Sequence, residues 1–369
     1  EGAASEDDGD DAGESAGSDH GGSGLTVQLV AQQLRGLGGI GKTEAACQFA
    51  RRQYNARRYP GGVFWCDGAD SESALRDSWR QIAVTDLGMA HLAKEPHEVV
   101  VAAVHRWMVA APHGRWLLVL DNADNPHLPA LAACMPPAEA DGDVLITSCA
   151  RGFPHIFRLH DDALVVQLLT PAESQALMLE AASCEVPAAG SEDAEALLWL
   201  AGRDGLAGLP LALCHAGAFV RNTEGAGFAE YRRRYEVLLT AFFESGDDAS
   251  GGAGTAAMYR AQRTVAATWN LSFQAVMDRS PAAGELLQAA AFFAPENIPD
   301  EMWLHGASRV AEVVHGSRLA TALLESGHMQ HCLDRLMGVL ADYSLITRRA
   351  GTMSMHRLLQ QGLRAPPRA

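Results

Sequence analysis

Gly36-Leu37-Gly38-Gly39-Ile40-Gly41-Lys42-Thr43 fits the pattern G-x-x-x-x-G-K-[ST]. Glycines let the backbone curl so that successive N–H groups point inward at an anion. In such a loop Lys42 reaches the outer phosphates of a nucleotide, and Thr43 offers its hydroxyl to Mg²⁺. Composition sharpens the reading. The chain holds 29 Lys plus Arg, and only two of them are lysine, Lys42 and Lys94. A lysine therefore stands where a compact ammonium is needed and a planar guanidinium fits poorly.

Gly36, Gly38 and Gly41 also read G-x-G-x-x-G, the dinucleotide fingerprint. That fold wants an acid about 20 residues on, at the end of the next strand. Asp67 ends the next apolar run but lies 26 residues past Gly41. Lys-Thr directly after the last glycine has no role in that fold. The octapeptide reads as a phosphate loop.

At 369 residues the chain is long enough for two or three domains, and a hydrophobic content of 48% supports a real core. No run of 18 apolar residues appears, so no membrane span is expected. The first residues show no basic-then-apolar signal. The chain starts at Glu rather than Met, which suggests a fragment. Its seven cysteines form no C-x-x-C pair. That argues against structural zinc and a disulfide framework, and a cytoplasmic location is expected. The net charge is −16, and residues 1–24 hold eight acids and no Lys or Arg. With so little apolar surface to bury, 1–24 is expected to be a disordered, solvated segment.

From residue 25 the pattern is that of an α/β domain. Val27–Leu34 is the expected strand entering the loop, a poor one because Gln32 and Gln33 interrupt it. A helix over Thr43–Tyr54, a strand over Gly62–Cys66 and helices over Ser71–Thr85 and Glu98–Ala110 follow. Trp116–Leu120 is an apolar run ending in Asp121, and Asp143–Ser148 is a further strand with a polar end. Strands alternating with helices predict a parallel sheet covered on both faces. Ligands of such sheets bind at the carboxyl ends of the strands, the edge that would carry the phosphate loop, Asp121, Thr147 and Ser148. An acid ending a buried strand needs a partner, and a hydrated Mg²⁺ beside Thr43 would supply one.

From about residue 170 the strand signal stops. Thr170-Pro171-Ala172-Glu173 opens a helix with a capping box. Helices are expected at Asp193–Leu200, Leu209–Arg221 and Phe228–Phe243. Ser245–Thr255, reading SGDDASGGAGT, has the composition of a flexible linker. The remainder is mostly helical, with a hairpin across Ala350-Gly351, the pattern of a winged helix. The expected layout is an α/β domain at 25–165, a helical domain at 166–244, a linker at 245–256 and a winged-helix domain at 257–369.

These motifs, in this order, resemble the NB-ARC family within the STAND class of P-loop ATPases. GLGGIGKT resembles the phosphate loop, YPGGVFWCD the second strand, LLVLDNAD the magnesium-site strand and VLITSCARGF the sensor strand. GLAGLPLAL contains the GLPL motif, TWNLSF and FFAPENIP resemble the winged-helix entry, and SMHRLLQ resembles the terminal MHD-type motif. The subgroup most similar is the one whose NB-ARC module precedes tetratricopeptide repeats.

The resemblance implies residue roles. Gly36, Gly38, Gly39, Gly41, Lys42 and Thr43 would hold phosphates, with Thr43 and Asp121 at the metal. Pro210 would pack near adenine. His356 would contact the β-phosphate of ADP and lock the closed state. Three positions depart from the family pattern. Cys149 stands where the sensor strand carries Arg, leaving Ser148 and Arg151 as the sensor candidates. Asn122 replaces the second acid that activates water, so Asp124 is the candidate base and slow turnover is expected. Arg357 replaces the Asp that follows the family's Met-His pair.

The implied function is a switch: ADP closes the domains on one another, and ATP opens them and permits self-association. Effector and sensor domains would lie outside this chain. Two alternatives remain, a fast ATPase and a winged-helix DNA-binding regulator. Residues 257–369 hold 11 arginines against nine acids, and Cys332–Tyr343 offers only Arg335 as a base. Phosphate contacts need clustered positive charge, so nucleic acid is not an expected partner.

Overall fold

Short apolar runs alternating with amphipathic helices build a five-stranded parallel sheet. The computed structural model describes residues 30–364, apart from 70, 151, 160–162, 245–252, 314–315 and 350. The expectation of disorder for 1–24 lies outside the described residues, as does Arg151. The α/β unit runs β1 (Val30–Arg35), α1 (Lys42–Asn55), β2 (Gly62–Cys66), α2 (Glu72–Gln81), α3 (His97–Val109), β3 (Trp116–Leu120), α4 (Pro129–Ala133), β4 (Gly142–Ser148) and β5 (Leu164–Val165). The strand order is β2-β3-β4-β1-β5, with every pairing parallel.

β3 is buried along its whole length. Successive side chains of a strand point to opposite faces. Accordingly Leu117 and Val119 pack with Ala46 and Ala50 of α1. Trp116, Leu118 and Leu120 join the larger core under α2 and α3. Strand, glycine-rich turn and helix in succession make this an α/β fold of the phosphate-loop type.

β1 forms despite its glutamines. Gln33 is buried, and its Nε2 donates to the Ala150 carbonyl at 3.0 Å, which answers the desolvation of the amide. The strand extends to Arg35, one residue past its expected end, and the expected start at 27–29 lies outside the described residues. The helix expected over Ser71–Thr85 is α-helical only to Gln81 and continues as a π-helical turn, Ile82–Asp86.

A helical unit follows: α5 (Pro171–Ala182), α6 (Glu192–Ala201), α7 (Pro210–Asn222) and α8 (Phe228–Glu244). The capping box at Thr170 and Glu173 is formed. The C-terminal unit comprises α9 (Ala253–Arg279), α10 (Pro281–Ala290), β6 (Ile298–Pro299), α11 (Asp300–Val313), α12 (Arg318–Glu325), α13 (Met329–Asp342), β7 (Ile346–Arg349), β8 (Thr352–Met355) and α14 (Arg357–Arg364). Its antiparallel strands run in the order β6-β8-β7.

The linker expected at 245–256 lies, over 245–252, outside the described residues, and Ala253 already starts α9. The helical and C-terminal units also share one continuous apolar core, from Met178 of α5 to Leu359 of α14. Alanines and leucines on α7, α9 and α13 supply that continuity. A composition-based boundary cannot anticipate it, because core continuity arises between helices distant in sequence.

Candidate functional site

The carboxyl ends of β1, β3 and β4 meet at one edge. Leu34 pairs with Thr147 and Arg35 with Ser148, so the phosphate loop leaves the sheet level with the end of β4. β4 separates β1 from β3 and brings Asp121 to the same edge from its other side. Gly39 and Gly41 adopt φ of 76° and 92°, left-handed conformations that glycine accepts freely. The turn then delivers Lys42 as the first residue of α1.

Lys42 is buried and folded back on its own loop. Its Nζ donates to the carbonyls of Gly36 (3.1 Å) and Leu37 (3.0 Å) and to Cys149 Sγ (3.0 Å). Thr43 Oγ1 donates to both Asp121 oxygens at 2.9 and 3.0 Å, and Thr147 Oγ1 donates to Asp121 Oδ1 at 2.5 Å. Burial raises the pKa of Asp121, against the pull of the two threonine hydroxyls. A neighbouring Asp67 adds to the rise and Arg357 opposes it. A carboxylate flanked by hydroxyls is a hard oxygen set, and it suits Mg²⁺.

Ser148 and Asp124 are engaged with the sheet edge. Ser148 Oγ donates to the Ala123 carbonyl at 2.8 Å and to Asp124 Oδ1 at 3.2 Å. Asp124 Oδ1 also accepts the Cys149 N–H at 2.6 Å. Asp124 therefore braces the turn after β4, and Ser148 ties that turn to the end of β3.

Two other units close on the loop. Leu211 N–H donates to the Gly39 carbonyl at 3.3 Å, one residue beyond Pro210, the first residue of α7. A Cβ placed on Gly39 would lie 3.2 Å from the Leu211 side chain, and one on Gly38 would lie 3.0 Å from Leu358 of α14. The glycines thus admit both neighbours at close range. Leu211 and Leu358 lie within the GLPL and MHD-type motifs, which by themselves assign neither of them a place against the loop.

His356 stands just before α14 and retains solvent-exposed surface. Crowding by protein, then the charges of Lys42 and Arg357, push its pKa down to about 4. Leu358 N–H donates to His356 Nδ1 at 3.2 Å. The neutral ring therefore carries its proton on Nε2. The ring also meets Trp269, with centroids 6.3 Å apart.

A groove of about 690 Å³ lies between α2 and α3 and shares no residue with this site. Arg76, Arg80, Glu72 and Glu98 line it with both signs of charge.

No protein-family model matches the chain, and no curated protein matches it. Among solved structures it is similar to a STAND protein with a tetratricopeptide repeat sensor from Pyrococcus horikoshii, at 14% identity and a TM-score of 0.45. That likeness covers 91% of this chain, which spans 40% of the archaeal protein's length. It is similar to a Walker-type ATPase of Pyrococcus abyssi, at 14% identity and a TM-score of 0.38, over 90% of this chain and 91% of that one. It is also similar to the ORC1 protein of Aeropyrum pernix, solved in complex with DNA, at 15% identity and a TM-score of 0.33, over 92% of this chain and 87% of that one. No helix among the described residues is long and apolar enough to cross a membrane.

Proposed function

We propose that this chain is the core of an adenine-nucleotide switch of the NB-ARC type. ADP favours closure of the three units on one another. ATP favours their release and self-association, and hydrolysis is slow. One observation carries the reading: the phosphate loop is where all three units meet, through Gly39 with Leu211 and Gly38 with Leu358. A ligand bound there touches the α/β unit and both of its neighbours. It can therefore bias their closure through differential contacts.

The residues support this chemistry. Lys42 donates to loop carbonyls that a phosphate would replace as its acceptor. Thr43 and Asp121 would hold a hydrated Mg²⁺, which neutralises phosphate charge when bound. A neutral His356 with its proton on Nε2 is a donor suited to a phosphate oxygen. Slow turnover follows from Asn122, which cannot take a proton, and from Asp124, which is committed to the Cys149 N–H.

The DNA-binding alternative loses one cation of the C-terminal unit. Arg348, on the hairpin, pairs with Asp300 and Asp334. Charge engaged in this way is withdrawn from a phosphate backbone.

Calorimetric titration with ADP tests the reading. Lys42→Ala removes a charge-assisted contact of roughly 1.5–3 kcal/mol, so affinity is expected to fall about tenfold or more. Equal affinity in parent and variant would overturn it.

A further inference from the structure

Two of the departures from the NB-ARC pattern meet in space. Asn122 follows Asp121 at the end of β3, and Arg357 opens α14, more than 200 residues later. The Asn122 amide is oriented by its neighbours. With its oxygen toward the guanidinium it accepts from Arg357 Nε and Nη1, each at 3.1 Å, while its nitrogen donates to Asp124 Oδ2 at 3.2 Å. The reverse orientation sets donor against donor and acceptor against acceptor.

The surroundings fit a seated guanidinium. Gly68, in the turn after β2, has a φ of 67°, and a Cβ there would come within 2.7 Å of Arg357 Nη2. Asp67 and Asp121 lie near it, together with Glu296 of the C-terminal unit, whose pKa burial and then the Asp67 charge push up to about 7 against the pull of Arg357. Asn122 has a φ of 65°, a left-handed conformation that asparagine tolerates better than most residues. Its N–H donates to Thr147 Oγ1 at 2.8 Å, the hydroxyl that also holds Asp121. A pull on Asn122 therefore reaches the site through Thr147.

We propose that Arg357 is a positioning residue, a fork that clasps Asn122 and pins the C-terminal unit to the end of the magnesium-site strand in the closed state. A carboxylate is traded for an amide at one position and for a guanidinium at the other, and the two replacements complement each other. Asn122 is then held by the latch at the position where a water-activating acid would stand. Hydrolysis is disfavoured both by its chemistry and by its engagement. The consequence for nucleotide exchange rests on the switch reading, whereas the clasp itself does not.

The test is a double-mutant cycle on the full chain with Arg357→Gln, Asn122→Gly and their combination. Glycine removes the amide without straining the positive φ. Two readouts are taken: the dissociation rate of mant-ADP by stopped flow, and the radius of gyration without nucleotide by small-angle scattering. Each single variant is expected to release mant-ADP about tenfold faster and to expand, with no further change in the double variant. Arg357→Lys keeps the charge but not the fork, so it is expected to behave nearly like Arg357→Gln. Additive effects in the double variant, or a lysine variant equal to the parent, would overturn the clasp. If the parent binds no mant-ADP, the switch reading fails instead. Scattering then decides the clasp: matched expansion in both singles and the double supports it, and an unchanged radius overturns it.

Discussion

His215, on α7, is buried to 1% exposure and has a partner for each ring nitrogen. Trp269 Nε1 donates to its Nε2 at 2.9 Å, so the proton must lie on Nδ1, which faces the Tyr343 carbonyl at 3.2 Å. A second proton would set two N–H groups against each other in a site without water access. Burial pushes the pKa from 6.5 down to about 4, and His356 adds to the fall. The folded value lies below the unfolded one. The unfolded chain therefore takes up protons first as pH falls from about 6.5, and stability is lost between there and about 4. His356 is depressed in the same direction. We expect urea midpoints to drop between pH 7 and pH 5 in the parent. His215→Leu strands the Trp269 N–H and the Tyr343 carbonyl, costing roughly 1–3 kcal/mol for each at pH 7. The variant should also show a shallower pH slope; equal slopes would assign the pH dependence to other groups.

At the scale of elements, α7 is a rod between the two ends of the site. Its first turn places Leu211 on Gly39, and one turn later His215 holds Trp269, which packs on His356. The start of that rod is set by Gly208. It has a φ of 69°, its carbonyl accepts the Leu169 N–H at 3.0 Å, and a Cβ there would come within 2.3 Å of the Leu169 carbonyl oxygen. Backbone cannot retreat as a flexible side chain does. We expect Gly208→Ala to cost roughly 1–3 kcal/mol through the positive φ alone, with the clash adding to it. Urea denaturation measures the loss, and mant-ADP affinity reports whether Leu211 leaves the loop. An unchanged midpoint would mean that the turn relaxes freely. The capping box at Thr170 was legible from four residues because its hydrogen bonds are local.

For the whole molecule, the helical and C-terminal units share one apolar core, and both reach the phosphate loop in this arrangement. Closure on the α/β unit then depends on the contacts made there, His356 among the candidates. Loss of one hydrogen bond to a charged phosphate costs about 1.5–3 kcal/mol, enough to move a two-state equilibrium by one to two decades. His356→Ala is expected to speed ADP release and to enlarge the radius of gyration, with Lys42 still required for binding. Stopped-flow ADP dissociation with small-angle scattering checks this. If both stay at parental values, His356 only packs against Trp269.

Much of the site was readable from local pattern. The loop from Gly36 to Thr43, the buried run before Asp121 and the polar end of β4 each carry their signal within a few consecutive residues. Turn chemistry and the alternation of strand side chains are decided at that range. The shortest elements, β5 and β6, hold two residues each and show no period. They exist because a neighbouring strand offers them partners. Gln33 in β1 looked like a flaw until Ala150 supplied its acceptor. Asn122 and Arg357 looked like separate losses until the fold set one on the other. The sequence by itself determined the phosphate loop, the carboxylate opposite it and the alternation of the longer strands and helices in the α/β unit. Only the tertiary structure decided which distant residues complete one another, because a hydrogen bond across more than 200 residues leaves no periodic trace in the chain.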